Sequence, residues 1–208
     1  MTTLLVIAKE PRPGRVKTRL TPPFSPEQAA ALAEASLADT LDAVAATPAA
    51  RRVLVLDGAP GPWLPSGFDV VPQCGGALDA RLADAFARCT GPALLIGMDT
   101  PQVTPDLLTV DFADCDAYFG PAEDGGFWAL GLAHPDPELL RGVPMSTPRT
   151  GAVQRRRLVA AGLRVRDLPP LRDVDTAADA AAVAALVPHG LFAARLARCT
   201  AQSGADRR

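Results

Sequence analysis

Three short runs, Leu4-Leu5-Val6-Ile7, Val53-Leu54-Val55-Leu56 and Ala93-Leu94-Leu95-Ile96, are apolar at every position. A strand with one wet face alternates apolar and polar side chains; a strand covered on both faces has no need to. These runs therefore read as buried strands within Thr3–Ala8, Arg51–Gly58 and residues 92–99. Helical patterns separate them. Ser25-Pro26-Glu27 gives an N-cap, a proline at the first helical position and an acid in the first turn, and Leu32, Leu37, Leu41 and Val44 then recur at helical spacing. Over 77–90 a second helix puts Leu78, Leu82, Phe86 and Cys89 on one stripe.

Further strands are expected over 68–73, 116–122 and 125–133, and a last one before residue 172. Short helices are expected after Thr104-Pro105, over 151–161, and over the Ala-rich 176–187. Alternating strands and helices imply an α/β chain, with a mostly parallel sheet covered by helices on both faces. The pair at 116–132 is expected as a small antiparallel insertion. A single domain is expected over 1–198, with 199–208 as a disordered tail.

Such a sheet binds ligands beyond the carboxyl ends of its strands, near a switch in strand order. The first strand empties into "AKEPRPGRVKTRL", which carries Lys9, Arg12, Arg15, Lys17 and Arg19. The whole chain has 21 cationic and 23 acidic residues and a net charge of −2. It thus has no global attraction for nucleic acid or an anionic membrane, so any anion binding must be local. The loop lacks both G-x-x-x-x-G-K-[ST] and G-x-G-x-x-G spacing, so it is neither a Walker loop nor a dinucleotide fingerprint. A solvated basic face is the competing reading.

Three other strand ends deliver carboxylates: "GMDTPQ" with Asp99, "GPAEDGGF" with Asp124, and "RDVDT" with Asp173 and Asp175. Cations suit phosphates, and aspartates suit Mg²⁺ or Mn²⁺ bridging those phosphates. Each acid also has a structural alternative. Asp99 can form a turn before Pro101. Asp124-Gly125-Gly126 can be a hairpin turn. Asp173 or Asp175 can cap the next helix.

The four cysteines form no C-x-x-C pair and show no metal-type spacing with His134 or His189, so reduced thiols are expected. No signal-peptide pattern or long apolar run is present, and a cytoplasmic protein is expected.

"LLVIAKEPRPGRVKTRL", "LIGMDTPQVTPDLL", "YFGPAEDGGFWALGL", "MSTPRTG" and "LRDVDTAADAAAV" occur in that order. Together they resemble the radical-SAM/selenodomain-associated transferase family, often labelled an arsenosugar-biosynthesis glycosyltransferase. That family is part of the GT-A nucleotide-diphospho-sugar transferase superfamily, and the resemblance spans about residues 3–188. It implies a GT-A-like, Rossmann-like fold. It implies Lys17 on the phosphates, with Gly14, Arg15 and Arg19 in the same loop, and Asp99 and Asp175 as ligands of Mg²⁺ or Mn²⁺. The base would lie against the backbone of Ile7, Ala8 and Lys9 and the loop Gln73–Leu78, which includes Gly75 and Gly76. Asp124 would face the acceptor, so that Lys17, Asp99 and Asp124 form the catalytic set.

Two departures stand out. "GGALDARL" replaces a pattern like G-D-L-G-E-R, and Met145 stands where a tryptophan is usual. Both suggest an altered substrate. Three functions follow in order: a nucleotidyltransferase, a glycosyltransferase using a nucleotide-sugar, and a non-catalytic nucleotide-binding module. The implied partners are a nucleotide (NTP or nucleotide-sugar) and a small-molecule acceptor, with no nucleic acid and no membrane. A homodimer is compatible with all three.

Overall fold

The computed structural model describes residues 1–205, the last three by backbone alone. Seven strands form one sheet: β1 (Thr3–Lys9), β2 (Arg51–Asp57), β3 (Asp69–Pro72), β4 (Ala93–Gly97), β5 (Ala117–Pro121), β6 (Phe127–Leu132) and β7 (Val165–Asp167). Their order is β3-β2-β1-β4-β6-β5-β7. All run parallel except β6, which is antiparallel to β4 and β5. The expected antiparallel insertion is therefore present, and β6 lies inside the sheet rather than at its rim. The chain moves outward from β1 to β3, then returns to place β4 on the other side of β1. That reversal makes the carboxyl ends of β1 and β4 the switch point of the sheet.

The continuous apolar runs are buried on both faces. Leu4, Val6, Leu54, Leu56, Leu94 and Ile96 pack against α1 (Pro26–Ala46), while Leu5, Val53, Val55 and Leu95 face α2 (Leu78–Ala87) and α4 (Thr150–Ala160). Helix α1 starts where expected. The Ser25 hydroxyl accepts from Gln28 N, and Gln28 Oε1 accepts from Ser25 N at 2.9 Å, which closes a capping box. Proline 48 follows its end, where the helix stops. The helix expected after Thr104-Pro105 is only α3, Pro105–Leu108.

The expected disordered tail is corrected over its described part. Helix α6 (Leu191–Ala205) runs through 199–205, and residues 206–208 lie outside the described residues. The reason lies in spacing. Phe192, Leu196 and Cys199 fall on one helical face and are buried in a third core with Leu32 of α1 and Ala180 and Val183 of α5 (Ala177–Leu186). Burying a Phe or Leu side chain contributes about 1.5–3 kcal/mol, which suffices to order a helix read as polar from its last residues. Asp39 of α1 fixes its start, accepting from the backbone N–H groups of Leu191 and Phe192, both at 2.9 Å. Helix α1 is consequently packed on two sides.

The four cysteines are free thiols; Cys115 and Cys199 are buried, Cys74 and Cys89 half-buried. Among the described residues no helix is long and apolar enough to cross a membrane.

Candidate functional site

The loop after β1 is anchored by two apolar side chains. Val16 packs into the α1 face of the sheet, and Leu20 is fully buried against α1 and α5. Between them Lys17 adopts a left-handed backbone, φ 49°, ahead of a 3-10 turn at Thr18–Leu20. That conformation costs a non-glycine residue about 1–2 kcal/mol. Here it turns the lysine inward while its neighbours stay rooted. Gly14, φ 73° in open space, forms the outer bend of the loop.

The loop after β4 meets it. Met98 is held on both sides: Ser36 Oγ donates to its carbonyl at 3.0 Å, and the Lys9 amide reaches its sulfur at 3.2 Å. Asp99 follows. Its carbonyl accepts from Val174 N at 3.0 Å, and Gln102 Nε2 donates to the Arg172 carbonyl at 2.7 Å. These two bonds tie the segment 172–175 to the end of β4. Val174 is buried, so the alternation of extended backbone sends Asp173 and Asp175 to the other side.

The result is a shared cation. Lys17 Nζ lies 2.9 Å from Asp99 Oδ1 and 3.2 Å from Asp175 Oδ1, and Arg19 reaches Asp175 Oδ2 at 3.1 Å. Burial disfavours the Lys17 ammonium, but the Asp99 and Asp175 carboxylates outweigh it and hold its pKa above the ordinary lysine value. Asp173 shows the opposite balance. Burial, reinforced by Asp99, Asp124 and Asp175, lifts its pKa to about 7 against the relief from Lys17. Within one pocket, then, one side chain is held charged and another is pushed towards its neutral form.

The structural alternatives can now be weighed. Neither Asp173 nor Asp175 caps a helix; Thr176 caps α5 in a box with Asp179. No turn hydrogen bond to the Asp99 side chain occurs among the described residues, and its ion pair is with Lys17. Asp124 does serve a turn, accepting from Gly126 N at 2.7 Å. The next residue, Gly125, has φ 90°, and a Cβ there would collide with the Pro148 carbonyl. Gly151 N donates to Gly125 O at 2.8 Å. Thus the Asp124 turn is clamped to the start of α4.

All these segments border one open cleft of about 630 Å³ at the switch point. Ala8, Lys9, Arg15, Lys17, Arg19, Gln73, Asp99, Asp124 and Asp175 line it, whereas Gly14, Gly75 and Gly76 are not among its lining residues. Leu78, expected on the buried stripe of α2, is exposed at the cleft instead; only Leu82 and Phe86 of that stripe are fully buried. Gln73 Nε2 donates to the Ala8 and Val55 carbonyls, and its Oε1 accepts from Arg81, which also reaches Asp57.

Sequence reasoning named Asp173 among the strand-end acids without giving it a role and left out Arg81 and Phe127; all three line the cleft. For Asp173 a signal existed: D-x-D on extended backbone puts both acids on one side. Arg81 and Phe127 lie on regular elements, where their patterns read as surface and core.

No group of three acidic, cysteine or histidine side chains stands in metal-ligand geometry among the described residues. The fit to a metal rests instead on the ammonium as a stand-in ion. Two carboxylates already converge on one cation, and a hard divalent ion filling the rest of its shell with phosphate oxygens and water suits that donor set.

No curated protein matches this sequence. Among solved structures, the chain is similar to a protein of Desulfovibrio desulfuricans G20 provisionally described as a nucleotide-diphospho-sugar transferase. The two share 25% identity, with 98% of this chain and 97% of that one covered and a TM-score of 0.86. CMP:2-keto-3-deoxy-manno-octonic acid synthetase in complex with CTP shares the fold at 14% identity, covering 90% and 99%, with a TM-score of 0.55. Rv0371c of Mycobacterium tuberculosis H37Rv in complex with manganese does so at 23% identity, covering 88% and 96%, with a TM-score of 0.52. The fold is therefore that of nucleotide-diphospho-sugar transferases and nucleotidyltransferases. Residues 31–147, more than half of the chain, match the family model described as "Uncharacterized protein conserved in bacteria (DUF2064)", and the chain belongs to that family.

Proposed function

We propose that the protein is a metal-dependent nucleotidyltransferase acting on a small phosphorylated or anionic acceptor. The observation that carries this reading is the convergence of Lys17, Asp99 and Asp175 at the switch point, with Arg15 and Arg19 beside them. An acceptor oxygen forms a bond to the α-phosphorus of an NTP, the bond from that phosphorus to the β-bridging oxygen breaks, and pyrophosphate leaves. Lys17, Arg15 and Arg19 hold the phosphates and stabilise charge built up at phosphorus. Asp99 and Asp175 hold Mg²⁺ or Mn²⁺, which when bound supplies Lewis-acid neutralisation of the phosphate oxygens. The base rests against Ala8, Lys9 and the Gln73–Leu78 loop, and Asp124 faces the acceptor. The unit is the whole sheet with its helices, α6 included. A reaction that consumes nucleotides fits a cytoplasmic protein.

A glycosyltransferase is the second reading, favoured by the extended likeness to the Desulfovibrio protein. The resemblance to radical-SAM/selenodomain-associated transferases points the same way. There Asp124 takes the proton of an acceptor hydroxyl, and a nucleotide diphosphate leaves the sugar carbon.

The test is incubation with each NTP, Mg²⁺ and pyrophosphatase across a panel of phosphorylated acceptors, reading phosphate release. Acceptor-dependent release establishes nucleotidyl transfer. No release with any NTP, together with tight binding of a UDP- or GDP-sugar, rejects it in favour of sugar transfer.

A further inference from the structure

Lys17 is assigned above to the phosphates, yet its ammonium lies elsewhere, between the two carboxylates assigned to the metal. We infer that Lys17 is an internal placeholder for the divalent cation, leaving Asp99 and Asp175 when the metal arrives and turning to the nucleotide phosphates. This rests on the metal and nucleotide reading of the site and adds its regulation: metal and nucleotide load together, and metal alone binds against a competitor built into the chain.

Four observations support it. The first is position. The ammonium contacts both carboxylates within 3.2 Å, and two ionised acids so placed need a shared cation. The second is access. The Lys17 side chain is 7% exposed, whereas Asp99 is 39% and Asp175 32% exposed. All three line the cleft, but the carboxylates are the accessible groups and the lysine is nearly buried, so an incoming ion can reach the acids while the ammonium is still in place.

The third is residue choice. Of the chain's 21 cationic residues nineteen are arginine and two are lysine, Lys9 and Lys17. A guanidinium is a planar fork suited to lasting bidentate pairs, while an ammonium is a compact point charge, the closest side-chain mimic of a metal ion. The fourth is incomplete satisfaction. Two of the three N–H donors of Lys17 have carboxylate partners, the third has none among the described residues, and the backbone is left-handed at φ 49°. A tie meant to be permanent would saturate its donors on relaxed backbone.

The opposing reading is a structural tie that keeps Asp99 and Asp175 ready for metal. The two readings differ in sign. Mn²⁺ binding is measured by titration calorimetry and electron paramagnetic resonance on the full chain without nucleotide. Removing a placeholder tightens binding: Lys17→Gln is expected to bind Mn²⁺ about tenfold or more tightly than the unaltered protein, given one positive charge removed a few ångströms away. Equal or weaker binding in a folded Lys17→Gln overturns the inference.

A second measurement needs no variant. With only two lysines, acetylation read by mass spectrometry is unambiguous, and exposed Lys9 is the internal reference. Saturating Mn²⁺ alone is expected to raise Lys17 labelling relative to Lys9 several-fold. If Lys17→Gln does not fold, unchanged labelling at saturating Mn²⁺ overturns the inference by itself. In either case tight Mn²⁺ binding in the presence of CTP or GTP leaves the underlying reading standing. Absence of Mn²⁺ binding under every condition, nucleotide included, rejects that reading and the inference with it.

Discussion

The sheet carries ion pairs at both edges, and they are built differently. At the amino edge, Asp116 before β5 receives Arg164 before β7 through Nε at 2.9 Å, NH2 at 3.1 Å and the backbone N–H at 2.9 Å. The fork is matched, and these bonds hold the Asp116 pKa near 2. At the carboxyl edge, Lys17 makes two contacts from a left-handed backbone, and Asp173 is pushed up to about 7 by burial and then by the neighbouring Asp99, Asp124 and Asp175. One edge pairs its acid within the chain; the other buries Asp173 beside an open cleft with no ion pair of its own among the described residues. Local frustration of this kind is what a binding edge needs and a joining edge avoids.

The sharpest way to break the contrast is to neutralise one charged partner at each edge. Asp99→Asn is expected to lower turnover by roughly a thousandfold while the protein stays folded, because it removes an anchor of charge stabilisation at phosphorus. Arg164→Met, at the other edge, is expected to leave kcat/KM within about twofold, since surface pairs act on stability and only weakly. Steady-state kinetics with circular dichroism on both variants checks the pair. Comparable losses in both would dissolve the functional distinction between the edges.

Stability is expected to answer to a different set of residues. Phe192→Ala empties the core that α6 forms with α1 and α5 and is expected to cost about 3–5 kcal/mol, with Asp99, Asp124 and Asp173 untouched. Gly125→Ala is expected to cost about 2–4 kcal/mol and also to reduce activity. Its Cβ meets the Pro148 carbonyl at a backbone φ of 90°, so the Asp124 turn must lift from α4. Gly14→Ala has the same unfavourable φ sign in open space and is expected to cost only about 1 kcal/mol. Urea denaturation of the three variants ranks them, and a Gly14 effect as large as that of Gly125 would refute the collision argument.

What the sequence disclosed follows the same divide. Uniform apolar runs such as Leu94-Leu95-Ile96 require cover on both faces, so the parallel sheet and its helices were legible. So were the strand ends, because strand periodicity fixes where Asp99 and the 172–175 segment must emerge. What was not legible depended on distant partners. The end of α6 from residue 199 looked like a tail because the core that holds the helix lies on α1 and α5, far away in sequence. Leu78 fits the α2 stripe by spacing, and only the cleft beside it explains its exposure. The site was legible as acids and cations of one set, but not in its pairing. That Lys17 would sit between the two acids follows from Val16 and Leu20 being rooted in different cores, which no local pattern carries.

The smallest expected effect is the acid limb of the joining edge. In the folded chain the Arg164 side chain and backbone lower the Asp116 carboxyl from its ordinary 3.8 to about 2. A depressed acid stabilises the folded state above its unfolded pKa and loses that contribution as pH falls through the folded one. The stability of the unaltered protein and of Asp116→Asn should therefore diverge above about pH 4 and draw together towards pH 2. The pair is solvent-exposed, so the gap should be small at neutral pH and narrow further in concentrated salt. Thermal unfolding of both proteins across that range, at low and high salt, is the measurement. A gap that persisted at pH 2, or that ignored salt, would mean that Asp116 acts through packing of the β5–β7 edge rather than through its charge.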